Sequence, residues 1–154
     1  MNTNISNATS EDKAYLAGLF DGEGSVNIFK QSRSYMAYSA YFIEISIGNT
    51  HEGVLNWVLE KFGGRVAHNS DHRTAGSRKV WRWRASSNEA YEILVAMLPY
   101  LIVKKEQAQL AIEFRERQVK FSGHSSTPLT QEENERREMQ KVELIAMRTT
   151  KKDE

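Results

Sequence analysis

The chain has 154 residues, 40% of them hydrophobic, which is enough for one real core and one domain of ordinary size. It has no cysteine, so a disulfide framework and a Cys-based zinc site are excluded, and no stretch approaches the roughly 18 apolar residues of a membrane span. The formal net charge of +1 hides an asymmetry: Arg65 to Arg84 hold six Lys/Arg and one acid, whereas Glu11 to Glu23 hold four acids and one lysine. Local charge rather than net charge governs nucleic-acid binding.

In chain order, residues 1–10 are polar and are expected to form a disordered arm. Thr9 and Ser10 are N-cap residues, and Glu11 and Asp12 put negative charge in the first turn of a helix. Ala14, Ala17, Gly18 and Asp21 recur at i, i+3, i+4 and i+7, a face almost bare of bulk that another backbone can approach closely. Leu16, Leu19 and Phe20 read as core. Gly22 and Gly24 are expected to break the helix, since glycine in a helix interior costs about 1 kcal/mol against alanine. Glu23 then sits just past the helix C-terminus. Unpaired carbonyls and a carboxylate there make an oxygen-rich spot that suits a hard divalent cation.

Ser25–Gln31 alternates like a strand. Residues 32–37 are a turn, and Tyr38–Asn49 reads as a second strand. Asn49 or Thr50 caps a helix whose apolar face is Val54, Leu55, Val58, Leu59 and Phe62, and Gly63-Gly64 stop it. Arg65–Asn69 and Ser77–Ala85 read as a hairpin. Ser86 and Glu89 form a capping box for a third helix, ended by Pro99. Lys104–Lys120 is a further helix, residues 122–130 are a linker, and Thr130–Arg148 is a charged helix with a thin apolar seam. This C-terminal helix either packs back on the domain and supports a dimer or hangs as a loosely docked appendage. The expected fold is α+β: αββαββα over residues 11–121, with a four-stranded antiparallel sheet, helices on one of its faces, and a C-terminal helix and tail over 131–154.

One sheet face must lie under the helices, and Val26, Ile28, Ile43, Ile45 and Ile47 suit it, with Trp81, Trp83 and Ala85 in the last strand. The other face then carries Asn27, Phe29, Gln31, Phe42, Glu44, Ser46, Arg82 and Arg84, and Arg78 shares that parity. Arg33, Arg65 and Asn69 flank it. Such a face offers what major-groove readout requires: guanidinium forks for guanine, amides for adenine and clamps for phosphate. His68 and His72 have a spacing that sometimes binds zinc, but no further ligands lie nearby, and His51 and His124 carry no pattern.

The stretch Leu16-Ala17-Gly18-Leu19-Phe20-Asp21-Gly22-Glu23-Gly24 resembles the signature of the LAGLIDADG homing endonucleases, matching seven of nine positions when Glu23 is allowed for the second aspartate. Phe20 and Gly22 are the departures. The resemblance implies a saddle-like sheet on DNA and metal-dependent double-strand cleavage at a long pseudo-palindromic site. It also implies a homodimer paired through the helix face of Ala14, Ala17, Gly18 and Asp21, because this chain has one copy of the motif. Glu23 and the Gly22 carbonyl would hold Mg2+, with Mn2+ or Ca2+ substituting for binding. Lys104, or Lys105 by one register, would stand near the attacking water. Asn49 would orient a water, cap the following helix, or both. Asp21 is read as tying the paired helices together by hydrogen bonds, with metal ligation as the alternative. An intron-encoded endonuclease is the leading function. A catalytically silent DNA-binding protein and an RNA splicing cofactor on the same fold are the alternatives. No small-molecule cofactor or membrane partner is expected, and the compartment is left open.

Overall fold

The structure, a computed structural model, describes residues 3–31, 40–69, 79–121 and 130–149. Thr9 starts the motif helix as the sequence predicts: its hydroxyl accepts from the Asp12 N–H at 3.1 Å, and the Asp12 carboxylate accepts from the Thr9 N–H at 3.0 Å. That bond to the Thr9 N–H, aided by Lys61, holds the Asp12 carboxyl below the usual carboxylate range. The helix, α2, runs Ser10–Glu23, and a short helix, α1 (Thr3–Asn7), precedes it where a disordered arm was expected. Ile5 and Ala8 anchor α1 to the core, which is what the polar composition of the arm concealed.

The remaining elements are β1 (Gly24–Gln31), β2 (Ala40–Asn49), α3 (Glu52–Phe62), β3 (Arg65–Asn69), β4 (Val80–Ser86), α4 (Ser87–Met97), a 3-10 turn at Leu98–Tyr100, α5 (Lys105–Phe121) and α6 (Gln131–Thr149). The sheet is antiparallel throughout, in the order β1-β2-β4-β3. This is the α+β arrangement expected, with the helices packed on one face and α5 and α6 added after the αββαββα unit.

The period-2 reading of the strands holds. Val26, Ile43, Ile45, Ile47 and Trp83 are completely buried, beneath Leu16, Phe20, Leu55, Val58, Ile93 and Leu94 from the helices. Two junctions are built differently from the expectation. His51, not Asn49 or Thr50, caps α3: its Nδ1 accepts from the Val54 N–H at 3.1 Å, while Asn49 Oδ1 accepts from the His51 N–H at 2.8 Å. Ser86 makes no side-chain cap bond. Glu89 instead accepts from the Gly64 N–H at 2.7 Å, tying α4 to the start of β3.

The turn from α3 into β3 needs its glycines. Gly63 and Gly64 take φ of 85° and 88°, and the Gly63 carbonyl accepts from Trp83 Nε1 at 2.8 Å. A Cβ on Gly64 would meet Trp83 Nε1 at 2.6 Å and the Arg84 carbonyl at 2.7 Å.

The C-terminal helix packs back on the domain. Leu144 is buried, and Glu133 of α6 accepts from Arg117 of α5 at 3.1 Å and from Arg137 of its own helix at 3.2 Å. The Tyr41 hydroxyl donates to Glu138 at 2.7 Å, and Lys30 pairs with the same carboxylate at 3.6 Å. Burial, then Glu138, push the Tyr41 phenol up to about 12.

Two outcomes test this packing. Gly64→Ala should destabilise the fold by about 1–3 kcal/mol, from positive φ and overlap together, read as a lower urea midpoint at unchanged slope. For Tyr41 the folded pKa lies above the unfolded one, so its contribution is complete below about pH 10 and is lost as pH rises toward about 12. Stability should therefore fall over that window in the parent protein, and Tyr41→Phe should remove that component of the fall.

Candidate functional site

The helix α2 passes into β1 without a loop. The Gly24 N–H donates to the Phe20 carbonyl and the chain turns across the Phe20 ring, so closely that a Cβ on Gly24 would lie 2.3 Å from Phe20 Cδ2 and 2.6 Å from Phe20 O. Gly22 lies inside the helix and does not break it. Glu23 is its last residue rather than a residue beyond it. A glycine in open helix costs only about 1 kcal/mol, which the packed turns on either side outweigh.

Glu23 is exposed, and among the described residues no hydrogen bond or ion pair holds its carboxylate. It immediately precedes β1, whose first residue, Gly24, is paired with Ile47 two residues before Asn49, and so stands at that end of the sheet. Carboxylate oxygens and helix-end carbonyls, including that of Gly22, are hard donors of the kind Mg2+ takes. Among the described residues no group of three or more His, Cys, Asp or Glu stands ready for a metal.

Asp21 is engaged within its own chain. Its two carboxylate oxygens accept from the backbone N–H groups of Ile102 and Lys104, at 2.8 and 2.9 Å, in the segment between the 3-10 turn and α5. Lys104 Nζ in turn donates to the Asp21 carbonyl at the end of α2. The lysine chosen from sequence is therefore brought to the helix end that bears Glu23, while Lys105 is the exposed first residue of α5. Asn49 sits at the same end of the sheet with its carboxamide oxygen used by the turn into α3.

The small-residue face divides between core and surface. Ala17 is fully buried in the core of its own chain, whereas Ala14, Gly18 and Gly22 are exposed, with Glu11 and Tyr15 on the same side. A Cβ on Gly18 or Gly22 would meet nothing within 4 Å, so no contact within the chain calls for glycine at either position.

The register gathers the expected readout residues. Asn27 opposes Glu44, Glu44 opposes Ser86, Ser46 opposes both Ser25 and Arg84, and Arg84 opposes Arg65. Phe29 opposes Phe42, Gln31 opposes Ala40, and Arg82 opposes Gly48 and Ala67. Paired residues of an antiparallel sheet share a face, so Asn27, Phe29, Gln31, Glu44, Ser46, Arg65, Arg82 and Arg84 stand together on the face away from the helices, with the Asn69 backbone in the same register. Glu44 lies between Arg65 and Arg84, at 3.7 and 3.9 Å. Ser46 is nearly buried, its hydroxyl 2.9 Å from that of Ser25. Arg33 and Arg78 lie outside the described residues, as does His72. His68 packs edge-on against Trp81, with ring centres 5.0 Å apart. One residue of this face was missed by sequence reasoning: Arg148 of α6 donates to Asn27 Oδ1. A lone arginine at the end of a charged helix carries no sequence signal for that contact.

No protein-family profile and no curated protein matches the chain. Solved structures do. An archaeal intron-encoded homing endonuclease, I-Vdi141I, complexed with DNA, superposes with a TM-score of 0.72 at 20% identity, over 89% of this chain and 84% of that one. The chain has the LAGLIDADG homing endonuclease fold. The homing endonuclease I-CvuI, in complex with its target in the presence of Ca2+, gives 0.62 at 19% identity over 87% and 94% of the two chains. The LAGLIDADG meganuclease I-AabMI, bound to uncleaved DNA, gives 0.65 at 17% identity, over 85% of this chain but 45% of that one. In the LAGLIDADG fold of this chain, the motif's last glycine closes the helix onto β1, its first acid fastens the Lys104 segment, and its second acid is left open.

Asp21→Ala should release that segment. Two charge-assisted bonds worth roughly 1.5–3 kcal/mol each are lost, so amide exchange at Ile102 and Lys104 should speed up by about tenfold or more, while exchange in β2 stays as it was.

Proposed function

We propose that the chain is a homing endonuclease that pairs with a second copy and makes metal-dependent double-strand breaks in DNA at a long pseudo-palindromic site. The observation that carries this is Glu23: an exposed, unpartnered carboxylate at the end of the motif helix, on the border of a sheet face lined with arginines, amides and hydroxyls. DNA is present in the I-Vdi141I, I-CvuI and I-AabMI structures, which favours DNA for this sheet as well.

Pairing follows from the exposed stripe of Ala14, Gly18 and Gly22. Two exposed glycines in one helix lower its own stability by about 1 kcal/mol each, a cost that close approach of a second backbone offsets. A twofold pair also supplies the second acid that one chain lacks, and isologous pairing is the commonest oligomer geometry. The I-AabMI chain, of which this chain matches 45%, is long enough to hold two such units in one polypeptide.

The residues suited to hold a divalent cation such as Mg2+ are Glu23 and the Gly22 carbonyl, joined by the partner copy's acid and phosphate oxygens of the substrate. Bound there, the cation supplies Lewis acidity toward an attacking water and charge neutralisation at the leaving oxygen. Lys104, held at the helix end by Asp21, contributes positive charge beside that phosphate, and Asn49 borders the same site. Asp21 is occupied by the Ile102 and Lys104 amides and serves position rather than ligation. On the sheet, Arg65, Arg82 and Arg84 contact phosphates and base edges, and Glu44 keeps two of these guanidinium groups in place before DNA arrives.

Glu23→Gln should abolish cleavage and leave duplex binding within a few fold of the parent. A variant that still cuts places the chemistry elsewhere, and a parent that binds but never cuts is a silent DNA-binding protein. Gly18→Leu should convert dimer to monomer by sedimentation. Its folding stability should be unchanged or rise by up to about 1 kcal/mol, since leucine is the better helix former.

A further inference from the structure

We infer that Arg148, delivered by the C-terminal helix, is a phosphate-contacting residue of the sheet face, and that Asn27 holds it in place rather than reading a base. This rests on the proposed DNA binding and adds to it a residue from outside the αββαββα unit.

Helix α6 runs beside the free edge of β1. Glu138 meets Lys30 and Tyr41 near one end of the strand, and Arg148, ten residues or about 15 Å further along the helix, meets Asn27 nearer the other. Lys30 belongs to the core-facing register of β1 and Asn27 to the open one. The helix is therefore level with the buried side of the edge at Glu138 and reaches over it onto the open face at Arg148.

Two features of that face give the contact its meaning. The first is charge. Among the described residues, the arginines that the strands themselves place on the open face all belong to β3 and β4, and two of them face Glu44. The open register of β1 and β2 holds Ser25, Asn27, Phe29, Gln31, Ala40, Phe42, Glu44, Ser46 and Gly48, one acid and no cation, with Glu44 directly opposite Asn27. Arg148 brings a positive charge to that half. Its partner there is a neutral amide, and among the described residues no carboxylate forms an ion pair with it. The second is hydrogen bonding. Asn27 Oδ1 accepts from Arg148, and Asn27 Nδ2 donates to Ser25 Oγ at 3.3 Å, which in turn lies 2.9 Å from Ser46 Oγ. Bidentate reading of adenine needs both the oxygen and an N–H of an amide. The Asn27 oxygen is already taken. A guanidinium has five donors, and the bond to Asn27 leaves others to point outward.

A charged fork at the rim of a groove-facing sheet, beyond its edge strand, is placed for phosphate rather than for base edges. The test compares the parent, Arg148→Gln and Arg148→Lys on the duplex site that the parent selects, with affinity measured between about 50 and about 200 mM salt. Arg148→Gln keeps a donor for Asn27 and removes the charge. It should weaken binding to all duplexes alike, flatten the dependence of log affinity on log salt by about 0.9 per protomer, and leave base preferences intact. Arg148→Lys should keep the slope of the parent, which separates charge from loss of helix docking. Identical slopes for parent and Arg148→Gln would reduce Arg148 to a latch for α6 and overturn the inference. An unchanged slope with altered preference at one symmetric pair of bases would overturn it in favour of base reading. A parent that binds no duplex at any salt would remove the DNA-binding proposal itself, a result distinct from either.

Discussion

Everything at the site depends on one contact, the Phe20 ring against the bare Cα of Gly24. There is no room for a side chain on Gly24, and the Gly24 N–H closes onto the Phe20 carbonyl. The chain therefore leaves α2 and enters β1 in a single residue. That abrupt turn keeps Glu23 at the border between the helical layer and the open sheet face. Lengthening the turn by even one residue would shift every side chain of β1 to the opposite face, since the strand period is two.

The same turn leaves Asp21 pointing toward the segment that follows α4. Two carboxylate oxygens meet two backbone amides there, and the side chain of Lys104 returns to the carbonyl of Asp21. The two acids of the motif thus have separate roles. One is saturated with donors from its own chain and organises the neighbourhood. The other has no described partner and is available to one from outside. A lysine at the C-terminal end of a helix also interacts favourably with the helix dipole, which adds to its hold on this position.

The sheet was the most legible part of the sequence. Alternation in Val26/Ile28 and Ile43/Ile45/Ile47 is strong, and the register then carries Arg82, Arg84, Glu44 and Asn27 to one face with no further choice. Helix α2 was less legible, because alanine and glycine carry almost no hydrophobic signal. Ala17 and Gly18 are adjacent, about 100° apart on the helix, and only packing shows that the first is core and the second is open. The caps misled for another reason. Glu89 has the right spacing from Ser86 for a capping box, yet a bare N–H at Gly64, far off in sequence, takes its carboxylate. His51 caps α3 through a ring nitrogen, a use that composition does not reveal. Arg148 meets Asn27 across 121 positions of sequence, and contacts of that range are decided by how α6 lies along β1.

In the proposed function, two copies of Glu23 sever both strands of one duplex. The most direct measurement is a selection for cut molecules from a randomised duplex library, run once with magnesium and once with EDTA. Double-strand cuts are expected in magnesium alone, at a long site whose two halves are near-repeats about a twofold axis. Recovery of duplexes that are bound but intact in both conditions would contradict it.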